Sequence, residues 1–123
     1  MIIRITGTLE QTRTEPGRAE VSVGEHVQWL IEVAGRARSV GWEIYFEGQS
    51  PFRRRSYRLA TAVQAPLTFP PSEEEGVHVG AVDAGAVDAE PGEYKYGVRA
   101  IDSATQRALS DDDPHIIVRR RLR

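Results

Sequence analysis

The most regular stretch of the chain is Ala89-Glu90-Pro91-Gly92-Glu93-Tyr94-Lys95-Tyr96-Gly97-Val98-Arg99-Ala100-Ile101-Asp102. It begins with a Pro-Gly turn and then alternates with a period of two. The apolar side of the alternation consists of Tyr94, Tyr96, Val98 and Ala100, and the other side of Glu93, Lys95, Gly97 and Arg99. One apolar and one charged face are typical of a strand in an antiparallel sheet that is covered on one side only.

Other segments alternate in the same way. In chain order they are residues 2–8, 18–23, 26–34, 40–47, 76–82 and 115–121, and none has the 3.6-residue period of a helix. Short strands separated by turn residues predict an all-β protein, a single antiparallel β-sandwich with Greek-key connections and about seven to nine strands. The length of 123 residues predicts one domain that covers residues 1–123.

Two tryptophans are candidates for the core. Trp29 and Trp42 lie in phase with the apolar residues of their strands. We predict that both rings are largely buried, and that both face the layer that contains Tyr94 and Tyr96.

The middle of the chain is less regular. Residues 52–63 predict an edge strand, because Pro66, Pro70 and Pro71 follow it and each lacks the amide donor that a central strand needs. Residues 80–89 contain the sequence Gly-Ala-Val-Asp-Ala twice. We interpret this repeat as a duplication that lengthened one loop, since two copies are too few for a solenoid.

One resemblance is carried by Trp42 and by Pro91-Gly92-x-Tyr94 at the start of the long strand. This arrangement resembles immunoglobulin-like and fibronectin-III-like sandwiches. In those domains a tyrosine near the start of the penultimate strand hydrogen-bonds back to the preceding corner. The resemblance implies such a bond for Tyr94 and a buried position for Trp42.

A second resemblance is carried by Val21-Ser22-Val23-Gly24-Glu25-His26-Val27-Gln28-Trp29 and by Pro91 to Tyr96. Both runs resemble patterns of plastocyanin-like, or cupredoxin-like, sandwiches. A blue-copper site needs a cysteine thiolate, two histidines and usually an axial methionine. The chain has no cysteine and its one methionine is Met1. The copper function therefore does not carry over, and we expect no metal site and no cofactor.

Composition excludes several other classes. A net charge of −2 gives no overall attraction to nucleic acid or to a membrane. Without cysteine there is no disulfide, and no run approaches the roughly 20 apolar residues of a membrane helix. We expect no signal peptide in the opening stretch Met1 to Ile5, because its apolar run is short and is interrupted by a charge. We expect a cytoplasmic protein with no nucleic-acid partner and no membrane partner.

Metal and catalytic motifs are weak. The histidines, His26, His78 and His115, lie on different predicted strands, and whether they converge is left open by the sequence. Asp111 to Asp113 lack the spacing of a calcium loop, and a turn before Pro114 is the better interpretation. No nucleophile elbow, zinc motif or phosphate loop is present. We predict no catalytic residues and no enzyme activity.

The candidate binding residues are Phe52, Arg53, Arg54, Arg55, Tyr57 and Arg58. Arginine and aromatic residues are enriched in protein interfaces, and the segment is predicted to lie on an edge. We expect a non-catalytic binding or adaptor module whose partner is an acidic surface of another protein or a second copy of the chain. Two acidic runs, Glu73 to Glu75 and Asp111 to Asp113, would make a symmetric homodimer self-complementary. The alternatives are a small-ligand or metal-binding sandwich that uses the histidines, and an enzyme accessory domain.

Overall fold

The computed structural model describes residues 1–35, 39–64 and 76–120. These residues form strands and turns, without a helix. In chain order the strands are β1 (Ile2–Gly7), β2 (Thr12–Glu15), β3 (Arg18–Ser22), β4 (His26–Ala34), β5 (Val40–Phe46), β6 (Ser56–Thr61), β7 (Val63–Gln64), β8 (Val77–Ala86), β9 (Gly92–Asp102), β10 (Ala108–Asp112) and β11 (His115–Arg119).

The strands form two sheets that pack together. Sheet 1 has the order β2-β1-β4-β8-β7, and sheet 2 has the order β3-β11-β9-β5-β6, with β10 also paired to β9. Most neighbours are antiparallel, but β1 runs parallel to β4 and β3 runs parallel to β11. The predicted all-β sandwich is confirmed, although the described residues contain more strands than the seven to nine that were expected. Its two parallel pairs were not expected, because side-chain alternation looks the same in either direction.

The long strand β9 occupies the centre of sheet 2 and has the predicted facing. Tyr96, Val98 and Ala100 are buried, whereas Glu93 and Lys95 on its other face are exposed. At its start, the half-buried Tyr94 donates its hydroxyl proton to the Glu90 carbonyl oxygen at 2.7 Å. This is the bond that the resemblance to immunoglobulin-like domains implied, and it fixes the corner before β9.

The core is centred on Trp29, which is fully buried. Its Nε1–H group donates to the hydroxyl of Tyr96 across the two sheets at 3.2 Å, and the two rings lie 5.6 Å apart. Trp29 therefore faces the layer of Tyr96, as predicted. Trp42 is also buried, but it belongs to the same sheet as Tyr96, because β5 pairs with β9. The predicted facing of Trp42 is thus wrong.

Polar side chains join the two sheets on both sides of this core. On one side, Asp112 accepts hydrogen bonds from the backbone amide and the hydroxyl of Thr14, at 3.0 and 2.8 Å. On the other side, Trp42 Nε1–H donates to Thr61 Oγ1 at 2.7 Å, and that oxygen lies 2.9 Å from Nδ1 of the buried His78. These bonds satisfy polar atoms that are half-buried at Asp112 and fully buried at His78, as groups removed from water require.

Three segments differ from the sequence-based interpretation. The polar residues Thr12–Glu15 form strand β2, and Asp111 and Asp112 belong to strand β10. The repeat at residues 80–89 is not a long loop, since its first half lies in β8 and pairs with β4. A bulge at Val27 and Gln28 and a positive φ of 84° at Gly85 accommodate the second copy.

The outer face of sheet 2 carries a flat aromatic ring. Tyr45 lies over Gly97 on the neighbouring strand, where a Cβ atom would overlap the ring. The Arg99 guanidinium stacks 4.9 Å from the centre of the Tyr45 ring, and Asp111 accepts from the Tyr45 hydroxyl at 3.1 Å. Tyr45 is therefore held flat against the sheet by its neighbours on both sides.

The burial of Trp42 predicts a large loss of stability on truncation. Trp42→Ala should lower the free energy of unfolding by about 3–5 kcal/mol, because it leaves a cavity and removes the donor to Thr61. Denaturant titration followed by circular dichroism measures this loss. Val79→Ala is the matched control, since Val79 is 52% exposed, and it should change stability by less than about 0.5 kcal/mol. A loss below about 1 kcal/mol for Trp42→Ala would contradict the packing described here.

Candidate functional site

The candidate binding residues begin in the connection between β5 and β6. We call residues 50–55 of this connection the arginine loop. The Ser50 hydroxyl donates to the Arg54 carbonyl oxygen at 2.7 Å and accepts from the Phe52 amide at 3.1 Å. The backbone bonds Phe46 N to Arg55 O (2.8 Å) and Asp88 N to Pro51 O (2.9 Å) tie the loop to the sandwich. The loop therefore has a defined shape without being part of a sheet.

Four arginines project from this loop and from the start of β6. Arg53, Arg54, Arg55 and Arg58 are all exposed. Arg55 donates to the Glu47 carbonyl oxygen at 3.1 Å, and Arg58 lies 3.4 Å from Glu43. Within the described part of the chain, Arg53 and Arg54 form no ion pair, although Arg54 lies 5.1 Å from the centre of the Tyr57 ring.

The two predicted aromatic contacts of this surface are not available to a partner. Phe52 and Tyr57 are each only 5% exposed, and both rings pack against Trp29 at 5.7 and 5.5 Å. The Tyr57 hydroxyl donates to the Ala84 carbonyl oxygen, and burial raises the pKa of Tyr57 while Arg54 opposes that rise. Both rings lie in the core and not on the arginine-rich surface, because the inward period of β6 and the turn at Ser50 direct them there.

A groove of about 1080 Å³ lies beside the arginine loop, between this loop and the corner before β9. The groove is lined by residues 47–50, Phe52 and Arg55 of the β5–β6 connection and by residues 88–95 at the start of β9. The charged groups that line it are the four carboxylates of Glu47, Asp88, Glu90 and Glu93 and the two cations of Arg55 and Lys95. The groove is thus net acidic, and it adjoins a basic loop.

Sequence reasoning missed this groove. Its residues lie in two turns that are about 40 positions apart, and each turn reads as an ordinary solvent-exposed connection. Only the topology could have indicated the groove. Two connections can meet at the same end of a sandwich when the chain between them crosses the sandwich and returns. Without the strand order, the acidic residues of one turn could not be placed beside those of the other.

The three histidines occupy different environments. His26 is exposed, and its Nε2 atom lies 2.6 Å from Asp83. His115 Nδ1 lies 2.8 Å from the Glu93 carboxylate, although the angle is outside hydrogen-bond geometry. His78 is buried beside Thr61, as described above. Within residues 1–35, 39–64 and 76–120, no group of three histidine or carboxylate side chains is placed to hold a metal ion.

The acidic runs that were expected to complement the arginines have different positions. Asp111 bonds to Tyr45 and Arg99, and Asp112 bonds to Thr14, so both carboxylates have partners within the chain. Glu73 to Glu75 lie outside the described residues. The acidic groove is therefore the nearest described counterpart of the arginine loop.

Comparison with known proteins adds no family assignment. No protein-family model matches the chain, and the search of curated proteins gives no significant match. In the described part of the chain, there is no helix with the length and apolar character that crossing a membrane requires.

The shape of the arginine loop is predicted to depend on the hydroxyl of Ser50. Ser50→Ala removes both of its hydrogen bonds, and it should cost about 1 kcal/mol because the Phe52 amide and the Arg54 carbonyl lose a partner. Hydrogen exchange should show faster exchange at the Phe52 amide, with little change at the amides of β9. Ser56→Ala is a control on an exposed residue of β6. Equal exchange at Phe52 in both variants would contradict the bracing role of Ser50.

Proposed function

We propose that the protein is a non-catalytic binding module, and that its arginine loop docks onto an acidic protein surface, on another protein or on a second copy of the chain. The observation that carries this proposal is the pair of Arg53 and Arg54. Both guanidinium groups are exposed on an anchored loop, and neither has an ion-pair partner in the described structure. A guanidinium presents a planar fork of donors that fits a carboxylate in a bidentate manner.

The anchoring of the loop supports a role in binding. Phe52 is held in the core against Trp29, and Ser50 braces the backbone on each side of Arg53. An ordered loop loses less conformational entropy when it binds than a mobile one does. A face that only improves solubility has no need of such bracing.

The strand order bears on which family the fold resembles more closely. Immunoglobulin-like sandwiches consist of two antiparallel sheets. Each sheet here contains one parallel pair, β1 with β4 and β3 with β11. We therefore favour the plastocyanin-like resemblance for the fold, without the copper site. The proposed binding role rests on the loop and not on this resemblance.

A direct test uses an acidic probe. A labelled peptide of about ten Glu, Asp and Gly residues should bind at low ionic strength, and the affinity should fall as salt is added. The triple variant R53S/R54S/R55S should weaken this binding at least about tenfold, as measured by fluorescence anisotropy.

The matched control removes three exposed arginines from other places. R4S/R13S/R107S changes the net charge by the same amount and should leave binding within about twofold of the wild-type value. If both triple variants weaken binding equally, the effect comes from net charge and the proposed docking surface is wrong. Binding that is unchanged in the loop variant would also refute it.

A further inference from the structure

The arginine loop and the acidic groove lie next to each other and have opposite charge. Phe52 and Arg55 line the groove, and Arg53 and Arg54 are the exposed residues between them in the chain. Three of the groove carboxylates, those of Glu47, Asp88 and Glu90, form no ion pair within the described residues. The basic and the acidic group thus remain separate patches on one end of the sandwich.

Two adjacent patches of opposite charge match each other under a two-fold rotation. If a second copy is turned by half a revolution about an axis between the patches, each arginine loop meets the groove of the other copy. This contact is isologous, and it closes as a dimer instead of extending into a fibre. It also places opposite charges together twice, once on each side of the axis.

We propose that the groove receives the arginine loop of a second copy, so that the protein forms a symmetric homodimer through this end of the sandwich. The inference rests on the proposed role of the loop as a docking surface, and it adds the partner. Arg53 and Arg54 of one copy face Glu47, Asp88 and Glu90 of the other. Arg55 stays bound to the Glu47 carbonyl of its own chain and keeps the loop in shape.

The groove favours this occupant over an acidic ligand. Its four carboxylates outnumber its two cations, so a basic segment gains attraction there and an acidic one is repelled. Because the contact is dominated by exposed charge, the dimer is expected to be weak and to dissociate as salt is added.

A charge-swap experiment tests the dimer. Sedimentation velocity should show a monomer–dimer equilibrium in wild-type protein between about 10 µM and about 1 mM at low ionic strength. Two variants reverse one patch each, R53E/R54E on the loop and E47R/E90R in the groove. Each should weaken self-association about tenfold or more, because like charges then face each other.

A mixture of the two variants provides the decisive measurement. In the mixed pair the acidic loop of one chain meets the basic groove of the other, and the basic loop meets the acidic groove. The mixture should form heterodimers with an affinity within about threefold of the wild-type homodimer. R13E/R107E is a control that reverses two exposed charges outside the groove lining and should self-associate like the wild type. Thermal unfolding shows whether each variant is folded.

Three outcomes would overturn the inference. These are wild-type protein that stays monomeric at about 1 mM in low salt, self-association that survives both reversals, and a mixture that is no tighter than either variant alone. The acidic peptide separates this failure from that of the proposed function. E47R/E90R should bind the acidic peptide at least as tightly as the wild type, because two carboxylates that repel the peptide become cations, while it loses the dimer. Peptide binding by a strictly monomeric wild-type protein would refute the dimer and leave the docking loop in place.

Discussion

The hydrogen bond from Trp29 to Tyr96 is the contact on which the rest of the structure depends. It joins the central strands of the two sheets inside the core, where no water competes for either group. Burial raises the pKa of Tyr96 and keeps the phenol neutral, so its oxygen remains an acceptor for the indole N–H. The same indole supports Phe52 and Tyr57, and the position of the arginine loop therefore follows from the packing around Trp29.

The local features of the fold could be predicted from the sequence because they depend on neighbouring residues. The period-two alternation of residues 92–102 predicted both faces of β9, and the resemblance to immunoglobulin-like domains implied the bond of Tyr94 to its corner. The polar strand β2 was missed, since it buries only Thr14 and is held by Asp112 from a distant strand. An isolated strand of four polar residues has no pattern of its own to detect.

The binding surface could be predicted only in part, for a similar reason. Exposure of the arginines follows from their charge, and the sequence was sufficient for that step. Predicting the burial of Phe52 and Tyr57 requires knowing which residue lies opposite their rings, and the sequence does not place Trp29 there. Predicting the acidic groove requires knowing that two turns far apart in the chain lie side by side. Each error thus concerns a contact between segments that are far apart in the chain.

The ring of Tyr45 over Gly97 has a consequence for how this sequence can diverge. A side chain at position 97 would lift the ring and separate it from Arg99 and Asp111, which hold it flat. Glycine destabilises the interior of a strand. At position 97 the Tyr45 ring that covers the glycine compensates for this loss of stability. The two positions are therefore expected to change together during evolution. A smaller residue at 45 would leave room for a side chain at 97, whereas tyrosine at 45 favours glycine at 97.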